Sequence, residues 1–259
     1  MTEQLKTIQQ LFSLEGRVCI ITGGGGFLGK HYASVIKDAG GIPLSLDILG
    51  EPDFKVDITN EEAVKQVIEK ILEQYGRIDV LINNAAMNPA VGSEEAKKQF
   101  MPVDEYPVEL WTKELEVNLT GMFICSKAVI PVMKKQGKGV IVNIASEVSE
   151  IAHDHRVYNE LGKYKSPAYV TSKTGVVGLT RAFAAQLGQY NIRVNTLSPG
   201  GVEHPNMPSD FVKRFGSTNM LSRMAQPDEY NAAILFLCSD ASSFMTGHNL
   251  VIDGGKSAW

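Results

Sequence analysis

Tyr169 and Lys173 stand four residues apart in the run Tyr-Val-Thr-Ser-Lys. On one helix that spacing turns both side chains to the same face. An ammonium beside a phenol favours the phenolate and draws its pKa from about 10 toward the working range. Such a pair can take a proton from an alcohol or return one to a carbonyl. Asn118 and Ser146 precede it, and a glycine-rich turn, Thr22–Gly29, lies further upstream. A dinucleotide held at that turn would supply the hydride partner. Tyr-x-x-x-Lys alone occurs on many helices; its meaning comes from what surrounds it and in which order.

The elements that must position these residues alternate in type. Short apolar runs at Arg17–Thr22, Ile42–Asp47, Asp79–Ile82, Gly139–Ala145, Ile192–Leu197 and Asn249–Ile252 read as strands. Helical periodicity fills Leu28–Ala39, Glu61–Tyr75, Leu110–Met133, Ala168–Tyr190 and Pro227–Cys238, with Pro131 near the end of the third. This alternation predicts an α/β fold, a Rossmann-like doubly wound parallel sheet in a single domain over residues 1–259, with 1–13 as an N-terminal extension. Ligands of such sheets sit beyond the carboxyl ends of the strands. The segments Asn88–Tyr106, Ser149–Pro167 and Gly200–Arg223 each follow a strand and belong to that edge, with 149–167 and 200–223 as substrate-side loops.

Composition narrows the function. A net charge of −4 and a pI near 5.8 give no support to nucleic-acid or anionic-membrane binding. The N-terminus lacks a basic-then-apolar signal pattern, and no uninterrupted apolar run approaches the ~18 residues of a membrane span. The expectation is a cytoplasmic protein. Cys19, Cys125 and Cys238 sit singly in apolar runs, as buried thiols rather than a metal site or a disulfide.

Thr22-Gly-Gly-Gly-Gly-Phe-Leu-Gly29 follows a strand and opens a helix. Glycines there allow a tight turn, close approach of a pyrophosphate and close helix–strand packing, and the helix N-terminus offers free N–H groups. Asp47 ends the second strand, where a carboxylate accepts from a ribose 2′-OH and repels a 2′-phosphate. No Lys or Arg lies in the turn or between Asp47 and Lys55, so NAD is expected over NADP. Asp57 could contact the adenine edge, and Thr59 or Asn60 could equally cap the helix that follows; Asn84, Ala85 and Ala86, after Asn83, let backbone pass close to the cofactor. Pro199, Gly200 and Val202 form another tight backbone near the nicotinamide. The expected cofactor-binding set is Gly23, Gly26, Phe27, Leu28, Gly29, Asp47, Asp57, Ile58, Asn84, Ala85, Ala86, Tyr169, Lys173, Pro199, Gly200 and Val202, with no metal.

From about Leu14 to Gly255 the chain resembles the short-chain dehydrogenase/reductase family, classical branch. The motifs are Thr22–Gly29, Asp57, Asn83–Ala86, Asn118, Ser146, Tyr169–Lys173, Asn195, Pro199–Gly200 and Asp253-Gly-Gly255. The resemblance implies Tyr169 as acid/base, Lys173 lowering its pKa and holding the nicotinamide ribose, Ser146 bonding the substrate oxygen, and Asn118 holding a helix kink and a relay water. It also implies dimers or tetramers built through the two long helices. Three departures stand out. Phe27 replaces the usual glycine, a spacing similar to the extended branch. Ser146 precedes Tyr169 by 23 residues, about ten more than the family's usual interval, which leaves Ser149 and Ser166 as alternatives. His204 stands where the family often has a threonine that touches the carboxamide. Ser198–Val202, Arg223-Met-Ala-Gln and the ending Gly255–Trp259 also resemble bacterial enzymes of flagellin or surface-sugar modification.

The chemistry expected is NAD-linked interconversion of a secondary alcohol and a ketone on a small-molecule substrate. His153, His155, Arg156, Lys163, Lys165, His204, Asn206, Lys213 and Arg214 would suit an anionic sugar derivative if they face the cleft. A sugar-nucleotide epimerase or dehydratase that retains its NAD, and a non-catalytic NAD(H)-binding regulator, are the alternatives.

Overall fold

The computed structural model describes residues 5–88, 100–159 and 164–259. Seven parallel strands form one sheet: β1 (Val18–Thr22), β2 (Ile42–Asp47), β3 (Phe54–Lys55), β4 (Val80–Asn83), β5 (Gly139–Ile144), β6 (Ile192–Pro199) and β7 (Asn249–Ile252). Their order is β3-β2-β1-β4-β5-β6-β7. Every residue of β1, β4 and β5 is buried, as expected of strands covered on both faces. The direction of winding reverses between β1 and β4, and the crevice beyond their carboxyl ends is the place for a ligand. The expected doubly wound sheet is present; β3, two residues paired to the end of β2, has no sequence signal because it is too short for a period.

The helices are α1 (Ile8–Phe12), α2 (Phe27–Asp38), α3 (Glu61–Tyr75), α4 (Val108–Leu115), α5 (Gly121–Gln136), α6 (Arg156–Asn159), α7 (Pro167–Leu187), α8 (Ser209–Gly216) and α9 (Asn231–Cys238). α3 shows why such boundaries are readable. Asn60 accepts from the Ala63 N–H at 3.0 Å to start it, and Gly76 at φ +71° stops it. Its apolar stripe, Val64, Val67, Ile68 and Ile71, is buried in the cluster that also holds Ile124, Val129 and Met133 of α5. A second cluster on the other sheet face joins Tyr32 and Ile36 of α2 to Ile234 and Leu237 of α9. Burying each such side chain contributes about 1.5–3 kcal/mol.

Two expectations are corrected here. The single helix expected over Leu110–Met133 is α4, a π turn at Glu116–Thr120, and α5; Pro131 lies inside α5 without ending it. The whole run Val108–Gln136 is also long and apolar enough, by length and composition, to cross a membrane. The reading from uninterrupted apolar runs missed this because polar residues punctuate the run. Met122, Ile124, Cys125, Val129 and Met133 pack inward, which accounts for its composition. The region expected as loop at 200–223 contains α8. Its Phe211 and Phe215 are buried with Phe100, Val157, Tyr158 and Met224 in a satellite core above the strand ends.

Candidate active site

A cavity of about 1520 Å³ runs along the carboxyl edge of the sheet, from the glycine turn to Tyr169. Gly23, Gly26, Phe27 and Leu28 line one end, followed by Asp47, Asp57, Ile58 and Asn84–Ala86; Pro199, Gly200 and Val202 line the middle. Gly29 is the one expected cofactor residue off the wall. A Cβ there would stand 2.3 Å from the Gly23 carbonyl oxygen, so its job is to let α2 meet β1. Gly23, at φ +63°, lies so close to Ala85 that a Cβ would meet the Ala85 Cα at 2.8 Å. The cradle is thus cut to backbone thickness on both sides. Asp47 receives the N–H groups of Gly25 at 3.1 Å, Ile48 at 2.8 Å and Leu49 at 3.1 Å, which fixes its carboxylate at the cavity edge. Lys55 is its register partner on β3 but does not reach the cavity wall. A bare glycine cradle, a helix N-terminus and a carboxylate without a neighbouring cation fit a dinucleotide. Asn84 holds the shape by donating to the carbonyls of Thr22 and Gly23, both at 3.1 Å.

At the other end Ser146, Tyr169 and Lys173 share the wall. Ser166 caps α7 by accepting from the Tyr169 N–H at 3.2 Å, and it donates to the buried Glu114 of α4 at 2.7 Å. Tyr106 donates to the same Glu114 carboxylate. This network locks the first turn of α7 and hence the phenol. It also removes Ser166 as an alternative to Ser146, since its hydroxyl is spent on the cap. Ser149 is likewise engaged, with Ser198 at 3.1 Å and Asn249 at 3.3 Å. Among the described residues, Ser146 is the serine that hydrogen-bonds the Tyr169 phenol.

The expected effect of Lys173 on Tyr169 is not what the geometry gives. Burial pushes the phenol up to about 12, with the Ser146 hydrogen bond opposing it. The Lys173 ammonium lies 5.7 Å from the ring centre and donates to the Ile144 carbonyl at 2.8 Å. Burial, and then the charge of Lys165, pull Lys173 down to about 7. Asn118 is fully buried in the π turn and off the cavity wall. Its amide accepts from the Met87 N–H at 2.7 Å and donates to Ser172 at 3.3 Å, which ties the irregular turn to the strand end and to α7.

Two of the three departures from the family pattern, Phe27 and His204, meet each other. Their rings lie 4.6 Å apart, edge to face, and both line the cavity. His204 accepts at Nδ1 from the Asn206 N–H at 3.2 Å. Of the polar side chains expected at a substrate, His153, Lys165 and His204 line the cavity, whereas His155, Arg156, Asn206 and Lys213 are exposed away from it; Lys163 lies outside the described residues. The sequence reading missed Glu114, and also Glu147, whose carboxylate is bonded to Lys256 at 2.8 Å in a buried pair. No local signal marks either one: Glu114 stands among Glu109, Lys113 and Glu116, and Glu147 between Ser146 and Glu150. Cys19, Cys125 and Cys238 are all buried, as expected.

Residues 43–257 match the family model described as enoyl-(acyl carrier protein) reductase. The trans-4-hydroxycyclohexanecarboxylate dehydrogenase of Sinomonas cyclohexanicum is 40% identical over 78% of this chain and 70% of its own. The NADPH-dependent 3-quinuclidinone reductase of Rhodotorula rubra superimposes with a TM-score of 0.83 at 32% identity, covering 100% of this chain and 98% of that one. A short-chain dehydrogenase of Leptospira borgpetersenii with bound NAD+ gives 0.85 at 28% identity over 99% and 98%. The chain therefore belongs to the short-chain dehydrogenase/reductase family. It is an NAD(P)-dependent oxidoreductase acting on CH–OH groups, interconverting a secondary alcohol and a ketone of a small molecule.

Proposed function

We propose that the chain is one catalytic unit that uses NAD rather than NADP, with Tyr169 as the proton donor and acceptor. The observation that carries this reading is the continuity of one cavity from the Asp47 edge to the Ser146–Tyr169 hydrogen bond. The nicotinamide supplies the hydride acceptor or donor when bound. Gly23, Gly26, Leu28, Asp57, Ile58 and Asn84–Ala86 would hold the dinucleotide, and Asp47 would take the adenosine ribose hydroxyls. Lys173 would hold the nicotinamide ribose, its ammonium anchored at Ile144. Ser146 orients the substrate oxygen toward the phenol, and Asn118 keeps the π turn and the Met87 backbone in register. At neutral pH the phenol keeps its proton, which suits donation to a carbonyl.

The segments 149–167 and 200–223 serve the substrate side, since His153, Tyr158, Lys165, Phe211 and Phe215 all reach the cavity. A sugar derivative has the support of His153, Lys165 and His204 there; the walls of Phe211, Phe215 and Met224 and the hydroxycyclohexanecarboxylate relative support an apolar ring instead. Phe123 of α5, 42% exposed, pairs with Phe183 of α7 at 6.0 Å, an outward aromatic patch on the two long helices that supports a homodimer or homotetramer. Light scattering giving a monomer mass would contradict the assembly.

The test is nicotinamide absorbance on the wild type with NAD and NADP, in both directions, against ring and open-chain alcohols and ketones. NAD-linked turnover is expected. Asp47→Ala should narrow the preference over NADP by on the order of tenfold or more, because a charged hydrogen-bond partner is lost and a repulsion removed. A wild type that prefers NADP, or an unchanged preference in the variant, would rule out the role given to Asp47.

A further inference from the structure

The alcohol–ketone reading leaves open what on the substrate the long insert recognises. Lys165 belongs to that insert, and its ammonium lies 4.5 Å from the centre of the Tyr169 ring and 5.0 Å from that of Phe100. It donates to the Asn88 amide oxygen. Among the described residues no carboxylate pairs with it. Glu114 acts on it through charge alone, its oxygens already accepting from Tyr106 and Ser166. A half-buried cation held between aromatic faces, with no carboxylate partner among the described residues, has given up part of its water for one amide oxygen. Burial draws this amine down to about 8, so at neutral pH the ammonium remains the main form.

Beside it stands a second unmet group. Both ring nitrogens of His153 are buried without a hydrogen-bond partner, and its ring stacks over Tyr169 at 6.2 Å with 26° between planes. Burial, and then the charge of Lys165, push the imidazole down to about 2, so it is a neutral ring with one donor and one acceptor to offer. Tyr158 adds a phenol on the same wall. The rest of that wall is Met207, Phe211, Phe215 and Met224. Unsatisfied buried groups of this kind at the face of the reacting phenol call for a ligand that completes them.

We propose that Lys165, His153 and Tyr158 form a subsite for a carboxylate on the substrate, and that the substrate is a compact ring-bearing hydroxy acid or its keto form. The assignment rests on the alcohol–ketone reading of the same site. Charge matching selects the carboxylate. One ammonium and one neutral imidazole balance a monoanion, whereas a phosphate dianion takes several donors or an Arg fork. The position of the cation over Tyr169 requires the acid group and the carbinol carbon to lie within one small ring. Aromatic and methionine walls reward an apolar ring body and leave the hydroxyls of a sugar acid unpaired.

The test compares oxocyclohexanecarboxylate with oxocyclohexanecarboxamide as substrates for the wild type with NADH. The carboxylate should be favoured in kcat/KM on the order of 100-fold, the range for a desolvated charge pair. Lys165→Gln should bring the ratio near one, Lys165→Arg should keep most of it, and NADH fluorescence titration reports whether each variant is folded. Binding of cyclohexanecarboxylate to the wild-type NADH complex gives a readout free of any variant. Equal turnover of acid and amide would overturn the subsite while leaving the alcohol–ketone reading intact. Carboxylate binding without turnover of either ketone would keep the subsite and count against the reading. Neither binding nor turnover would overturn the subsite as well.

Discussion

At the residue scale the site is governed by burial more than by its charges. Tyr169 is pushed up to about 12 and Lys173 down to about 7 by the same desolvation, acting on groups of opposite charge. The consequence for pH follows from which form each direction uses. Oxidation of an alcohol needs the phenolate, whose population grows as pH rises toward the raised phenol value. Reduction of a ketone needs the phenol, which stays protonated across neutral pH. Alcohol oxidation should therefore accelerate from pH 7 toward 10, while ketone reduction stays level or falls. A pH profile of kcat in both directions checks this, and an oxidation rate that declines over that range would contradict it. Ser146, Tyr169 and Lys173 stand out in the sequence by type and spacing, and the fold brings them to one cavity wall. The partners that hold them do not stand out. Glu114 makes its contacts with Tyr106 and Ser166 through a fold that brings α4 against α7, and nothing local in the sequence marks that pairing.

At the scale of the elements, the turn between β1 and α2 carries the cofactor reading. Gly23 and Gly29 both face backbone at distances that exclude a Cβ, but for different reasons: Gly23 passes Ala85, and Gly29 lets the helix close on the strand. Gly29→Ala should cost about 1–3 kcal/mol of stability through overpacking and weaken NADH binding with it. Thermal denaturation and NADH fluorescence read the two effects, and a variant unchanged in both would show that the contact is relaxed at no cost. Strands and long helices were legible from periodicity, as in α3 and β1, where pattern and caps agree. α8 was not, because its flanking prolines and polar residues read as loop; its burial comes from Phe211 and Phe215 meeting residues far away in the chain. The π turn at Asn118 was hidden for a similar reason: a helix with one wider turn keeps nearly the same apolar pattern.

At the scale of the whole molecule, the turn at Lys256 is tied to the loop that carries Ser146. Lys256 donates to Glu147 at 2.8 Å, directly after the catalytic candidate Ser146, and its ammonium lies 3.8 Å from the centre of the Phe215 ring. One buried pair thus joins the C-terminal turn, the serine loop and α8. Removing one partner leaves the other charge buried, so Lys256→Met should cost about 3–5 kcal/mol, and Glu147→Leu in the same chain should recover part of it. Urea unfolding of the single and double variants measures this; a single variant as stable as the wild type would show that the pair holds nothing together. Trp259 is 79% exposed and held through its ring N–H to the Thr218 carbonyl at 3.0 Å.

The most direct measurement on the central claim is Tyr169→Phe, assayed for NADH binding by fluorescence and for a single turnover of ketone by nicotinamide absorbance. The expected result is NADH affinity close to wild type and a rate lower by about 10²–10⁴-fold, the range for losing a positioned acid. Turnover at the wild-type rate with NADH fully bound would contradict the assignment of Tyr169 as the proton donor.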